Sequence, residues 1–279
     1  MKGIPSTHQE NQGFVTMLNQ EKVDDLNSWF EQYVHSFHTD NPDIQRNFDL
    51  KLVHTRQVCM EILDLGQSLG LNQKDLYIAE IIALFHDVGR FEQYDRYGTF
   101  YDLKSEDHAA LGVRVLKENH VLDSLDSTTR DLILKSISYH NRAFLPEKEI
   151  EVYLFFSRLL RDADKLDIWR VVTDYYQNQG QERNSALELG LRNDPEIADE
   201  VCEYLLAGKI VNVAAIKTLN DFKLLQMGWV YDLNFPRTFD LVRERCYLET
   251  IVSSLPKTEK VLKVYSVIRS FLERQCPRI

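Results

Sequence analysis

Apolar side chains recur at helical spacing along almost the whole of this 279-residue chain, and little interrupts them: there are eleven glycines and seven prolines. Few turns can be built from so little punctuation, so long helices are expected. Residues 14–37 read as a first helix, with Phe14, Met17, Val23, Leu26, Phe30, Val34 and Phe37 on one stripe. A second follows Pro42 over 44–70, its inner side marked by Leu50, Val53, Ile62, Leu65 and Leu69 and its end by Gly70. Further helices are expected over 74–88, over 105–119 from a Ser105 N-cap, over 128–140 and over 147–178. Beyond 180 the elements shorten. A helix start is expected at Pro195, and an amphipathic run follows Asp221 and ends near Trp229. Residues 231–239 read as a loop into another helix, and Pro256 as the start of the last, with Val261, Val264, Ile268 and Leu272 on one face. Strand-like alternation is weak and best in 207–215. The expected fold class is all-α, a helical bundle with a helical C-terminal extension.

The charge balance narrows the function classes. Forty-three acids against thirty-three Lys and Arg leave a net charge of −10. Such a chain has no electrostatic footprint for duplex nucleic acid or for an anionic membrane. It still admits a small anionic substrate, because a bound metal reverses the sign inside a pocket. Cys59, Cys202, Cys246 and Cys276 lie far apart with no CxxC pair, which fits reduced thiols rather than a zinc ribbon or a disulfide framework. No signal-peptide core and no run of about 18 apolar residues is present in the sequence. A soluble cytoplasmic protein is the expectation.

Chemistry is concentrated in the histidines. His54 has Leu50 four residues before it and Val58 four after; His86 has Ile82 and Ala79 at −4 and −7, and Asp87 follows it. His108 has Leu111, Gly112 and Val115 at +3, +4 and +7; His140 has Ile137 and Ile133 at −3 and −7. Asp164 has Leu160 at −4, with Asp162 and Asp167 nearby. Each therefore falls on or beside the apolar face of its helix. Burying one histidine is ordinary. Burying four with carboxylates is expensive unless they share a cation or a hydrogen-bond network. Imidazole and carboxylate donors suit Zn, Fe, Mn or Ni, and facing helices of a bundle can assemble such a site. His8, His35, His38 and His120 sit in a polar tail or at helix ends and are read as ordinary surface groups. Trp29, Trp169 and Trp229 are read as core.

The order His54, His86-Asp87 in LFHDVGR, His108 in SEDHAALG, His140 in SISYHNR and Asp164 in RDADKLD resembles the HD-domain metal-dependent phosphohydrolases over about residues 50–170. The resemblance implies an HD-domain helical bundle. It implies a first divalent ion on His54, His86, Asp87 and Asp164. It also implies a second on His108 and His140, with Asp87 bridging. Asp164 is chosen over Asp162 because the family ligand directly precedes the basic residue. The middle stretch looks most like bacterial HD hydrolases of diadenosine tetraphosphate. The Gly-Tyr-Pro signature of cyclic-di-GMP enzymes is absent, Arg90 stands where a lysine is common, and the last 110 or so residues have no counterpart in the small dinucleotide hydrolases. The chain divides accordingly into an N-terminal helical segment 1–43, an HD core 44–178 and an extension 179–279.

Phosphate hydrolysis requires charge neutralisation and an activated water, which two cations supply together. Two divalent ions are expected, and the donor set does not distinguish Fe, Mn, Zn, Ni or Mg. Asp87, Lys165 and Arg90 are the candidate catalytic residues, with Lys165 and Arg90 neutralising phosphate. Either could instead serve an ion pair, Lys165 with Asp162 or Asp167 and Arg90 with Glu92 or Glu80. Arg142 and Arg96 are candidate substrate contacts. The stretch 90–102 reads as a loop beside the site, where a nucleobase could stack on Tyr94, Tyr97, Phe100 or Tyr101, unless those rings simply fill space. The expected activity is cleavage of a phosphate ester or anhydride of a nucleotide or another small phosphorylated molecule. A diiron oxygenase acting on a polyol or phosphonate and a non-catalytic nucleotide sensor are the alternatives. Neither duplex nucleic acid nor a membrane is an expected partner; a homodimer is compatible with the sequence.

Overall fold

The computed structural model describes residues 18–178, 184 and 186–275. His8, Phe14, Met17 and Cys276 lie outside them. The described residues form twelve α-helices and three short 3-10 turns, with no strand. The stretch 207–215 is extended chain and a 3-10 turn at Val213–Ala215, and only an isolated bridge joins Arg192 to Thr218. The fold is an all-α helical bundle with additional C-terminal helices.

The first seven helices are α1 (Gln20–His35), α2 (Pro42–Ser68), α3 (Gln73–Phe85), α4 (Gly89–Tyr97), α5 (His108–Glu118), α6 (Ser127–Tyr139) and α7 (Glu151–Gln177). Short polar side chains start most of them: Asn41 before Pro42, Asn72, Asp107 and Asp126 each accept backbone N–H groups of the first turn. The helix expected from Ser105 thus begins at His108, because Asp107 caps it, while the Ser105 hydroxyl donates to Tyr101 O and accepts from Gln93. The stretch expected as a loop over 90–102 is helical as far as Tyr97; Gly98, at φ 62°, ends α4 in the left-handed conformation that suits glycine. The two 27-residue helices α2 and α7 lie against each other. α3 packs on both, and α4 to α6 close one end.

The C-terminal helices are α8 (Asp199–Leu206), α9 (Leu219–Gly228), α10 (Pro236–Glu244), α11 (Tyr247–Ser253) and α12 (Glu259–Gln275). α8 starts four residues after Pro195, α9 is opened by a capping box between Thr218 and Asp221, and α12 starts three residues after Pro256. They are not a separate body. Buried apolar side chains from Val23 to Leu272 form one continuous cluster. Trp169 of α7 is fully buried, stacks on Tyr247 at 6.0 Å and donates its Nε1 to Gln226 O at 3.0 Å. Asp162 faces the same way. Its carboxylate accepts from the backbone N–H groups of Asn234 and Phe235 and from the Thr238 hydroxyl.

Candidate metal centre

Five helices and one turn bring six candidate ligands to one place. His54 comes from the middle of α2 and Asp164 from the middle of α7. His86 ends α3 and His140 ends α6, His108 is the first residue of α5, and Asp87 lies in the turn between α3 and α4. All four imidazoles are buried, at 0–6 % exposure.

The imidazoles are held from behind in one way. His54 Nδ1 is bound by Asp167 Oδ2 and His108 Nδ1 by Asp102 Oδ2, each at 2.7 Å. His86 Nδ1 and His140 Nδ1 donate, also at 2.7 Å, to the carbonyl three residues back, Ala83 O and Ile137 O. Four acceptors therefore fix four Nδ1–H tautomers and leave the Nε2 lone pairs facing inward.

The Nε2 atoms converge as two pairs. His54 and His86 are 3.3 Å apart, His108 and His140 3.0 Å. Asp164 Oδ1 lies 3.1 Å from His54 Nε2 and 3.7 Å from His86 Nε2. Asp87 stands between the pairs: its Oδ2 is 3.6 Å from both His54 and His86, and its Oδ1 is 3.4 Å from His108 and 3.8 Å from His140. The donors form two clusters, His54–His86–Asp164 and Asp87–His108–His140, each with ligand atoms within 4.8 Å of one another. Opposed lone pairs at such distances repel, and a cation turns each cluster from repulsion to attraction. The residues fit a two-metal site with Asp87 shared.

Electrostatics keeps four of the ligands in ligating form, whereas at His54 burial and Lys51 act downward but Asp164 and Asp167 outweigh them and raise the imidazole, so a cation there displaces a proton. Burial pushes His86 down to about 4. Burial and the Arg90 guanidinium push His108 to the same value. Burial acts upward on Asp87, but Lys51 and His86 outweigh it and hold the carboxyl well below the usual range. Asp164 is likewise held low by His54 and His86 against burial. Neutral imidazole and ionised carboxylate are the forms that bind a cation.

Around this centre the sequence reading needs several corrections. Arg90 pairs with neither Glu92 nor Glu80. Its Nη1 reaches Phe100 O, Gln93 Oε1 and Asp102 Oδ1 at 2.5–2.8 Å, and its Nε lies 3.5 Å from Asp87 Oδ1. Lys165 pairs with Asp232 at 2.7 Å rather than with Asp162 or Asp167. Arg96 is half exposed and bonded to Glu92 and Glu106, away from the centre. Tyr97 is exposed beside Glu106, and Tyr94 packs on Phe48 and Phe100 with its hydroxyl accepting from Asn47. Arg96 and Tyr97 point off the outer side of α4 because 90–97 is helix, whereas Tyr94 turns inward and packs behind Phe100 without lining the cavity. Phe100 and Tyr101, past the Gly98 stop, do reach the cavity.

Two adjoining cavities open beside the centre. One, of about 460 Å³, includes Lys51, His54, Arg90 and His108 in its lining. The other, of about 360 Å³, includes His140, Arg142, Arg161, Asp164, Lys165 and Asp232. Tyr101, Ile168, Phe222 and Trp229 line both, so Trp229 is a cavity wall and not only core. Sequence reasoning missed Lys51, whose Nζ lies 2.7 Å from Asp87 Oδ2, and the roles of Asp102 and Asp167 behind the histidines. It also missed Arg161, whose guanidinium donates to His140 O, Arg142 O and Asp232. Lys51 precedes His54 by three, and Asp167 follows Asp164 by three, so helical spacing could have found both.

The family model of the HD domain matches residues 52–169. No curated protein and no solved structure matches the chain. The matched segment carries every ligand of the two clusters, and their arrangement is of the metal-dependent phosphohydrolase type.

Proposed function

With an HD domain at residues 52–169 as the premise, we propose that this chain is a hydrolase cleaving a phosphate ester or anhydride of a nucleotide or another small phosphorylated molecule. The observation that carries the reading is Asp87, which offers one oxygen to each histidine pair. His54, His86, Asp87 and Asp164 would hold one ion, and Asp87, His108 and His140 the other. Bound there, cations supply Lewis acidity and a water acidic enough to act as nucleophile near neutral pH.

The remaining work falls to side chains of this chain. Lys165 and Arg142 line the cavity beside Asp164 and take phosphate oxygens, the lysine as a point charge and the arginine as a fork. Asp232 holds Lys165 and Arg161 in place by ion pairs at 2.7 and 2.5 Å. Arg90 is a positioning residue: it fixes Asp102, which orients His108. The core 44–178 carries the chemistry, and Leu189, Phe222 and Trp229 of the extension supply apolar wall to both cavities. The similarity of HAALG and ISYHNR to dinucleotide hydrolases supports a nucleotide.

Elemental analysis of the purified chain, joined to phosphate release from phosphomonoesters, phosphodiesters and dinucleotides, tests the reading. Bound metal with turnover of a member of one class is the expected result. Metal without any turnover overturns it, and oxygen uptake by an iron-loaded chain would move it to an oxygenase.

A further inference from the structure

Gln226 of α9 is fully buried, yet half of its amide is unused. Its Oε1 accepts from the Tyr176 hydroxyl at 2.9 Å, and its backbone carbonyl accepts from Trp169 Nε1 at 3.0 Å. Its Nε2 has no partner among the described residues. Buried donors are almost always satisfied, so one that is not asks for an acceptor from outside the chain. Gln226 lines the 460 Å³ cavity whose other end holds His54 and His108. Lys51, Arg90, Asp102 and Asn141 are the polar lining beside the histidines, and the walls from there to Gln226 are apolar: Phe100, Ile168, Val172, Leu189, Phe222 and Trp229. The anchors of Gln226, Trp169 on its backbone carbonyl and Tyr176 on its amide, lie ~8 Å and ~18 Å beyond Asp164 along α7 at about 1.5 Å per residue, so the amide is well separated from the metal ligands.

We infer that Gln226 is a specificity-determining residue: with Phe222 and Trp229 it recognises a flat, apolar ring bearing a hydrogen-bond acceptor, joined through a spacer to the phosphate. The phosphate's place, and nothing else in this inference, rests on the proposed function. A charged or highly hydroxylated body would leave its polar groups unpaired against these walls. A ring without an acceptor would leave Nε2 unpaired, as it is in the free chain.

The test uses two probes without phosphate, acetophenone and cumene, which share a phenyl ring and a similar size but differ by a planar carbonyl in place of a tetrahedral CH bearing a methyl group. Their binding to the metal-loaded chain is titrated by saturation-transfer NMR. Acetophenone should bind roughly five- to tenfold more tightly than cumene, the worth of one hydrogen bond. Gln226→Leu should abolish that preference and leave cumene bound. Because the leucine also strands the Tyr176 hydroxyl, Gln226→Met is the second variant: its thioether sulfur is a weak acceptor for Tyr176, it carries no donor, and it should also lose the preference. Equal binding of the two probes, no binding of either, or a preference that survives in Gln226→Met overturns the inference. Since neither probe can be hydrolysed, failure here is separate from failure of the phosphate-release screen.

Discussion

Asp167 Oδ2 lies 2.7 Å from His54 Nδ1, and its other oxygen takes Arg170 Nε at 2.6 Å. The carboxylate is fully buried, so water does not compete for either bond. One side chain thereby sets both the tautomer and the tilt of the α2 histidine from across the bundle, and turns Nε2 toward Asp87 and Asp164.

Asp167→Asn keeps the shape and removes the charge. The variant should stay folded and lose metal affinity roughly ten- to a hundredfold, the usual effect of losing a carboxylate behind a ligating histidine. Competition against a chelator of known affinity measures it. Unchanged affinity would mean that His54 is oriented by something other than Asp167.

Asp87 and His140 make a paired experiment. Asp87 faces both clusters, whereas His140 faces one. Asp87→Ala should strip metal from both sites and abolish turnover. His140→Ala should spare the His54–His86–Asp164 cluster and keep about half of the bound metal. Metal per chain by elemental analysis, beside a circular dichroism spectrum for fold, reads both variants. Equal metal content in the two would contradict a shared Asp87.

The positions of the metal ligands were legible because helical spacing tells which side of a helix faces inward. His54 with Leu50 and Val58, or His140 with Ile137 and Ile133, needs no knowledge of the partner helix. The family resemblance then supplied their grouping. Spacing fails where helices stop. Asp102 lies in a 3-10 turn and Asp232 in another, so nothing periodic links them to His108 or Lys165. The α4 residues were misplaced for a related reason: the stretch 90–102 reads as a loop, but it is helical up to the left-handed Gly98, and that helix carries Arg96 and Tyr97 away from the cavity and packs Tyr94 behind Phe100. Gln226 could not have been found from sequence, because its importance rests on an unpaired atom.

The cysteines divide by environment. Burial pushes the Cys59 thiol up to about 12 and raises Cys202 as well, whereas Cys246 is exposed. Thiolate is the reactive form. Iodoacetamide at about pH 8, a little below the ordinary thiol value, should label Cys246 in the native chain and reach Cys59 and Cys202 only after denaturation. Peptide mass spectrometry resolves the sites. Rapid native labelling of Cys59 would show that α2 and α3 part far more readily than their packing implies.

The glycine of LFHDVGR also has a physical reason. A Cβ on Gly89 would stand 2.3 Å from His108 O and 2.5 Å from Gly112 N. Both are backbone atoms, so neither can rotate away, and α4 and α5 must separate instead. Asp87 lies two residues before this crossing and His108 sits at it, so the separation widens the cluster they share with His140. Gly89→Ala should cost about 3 kcal/mol, at the upper end for overpacking, and should also reduce the metal held by that cluster. Gly112→Ala meets the Val88 Cγ1 methyl at 3.2 Å and Gly89 N at 3.3 Å; the methyl can turn, so the cost should be about 1 kcal/mol. Urea midpoints compared at equal slope, together with metal per chain, separate the two variants. If Gly89→Ala proved as stable and as well loaded as Gly112→Ala, the close approach of α4 to α5 would not be what holds Asp87 against His108.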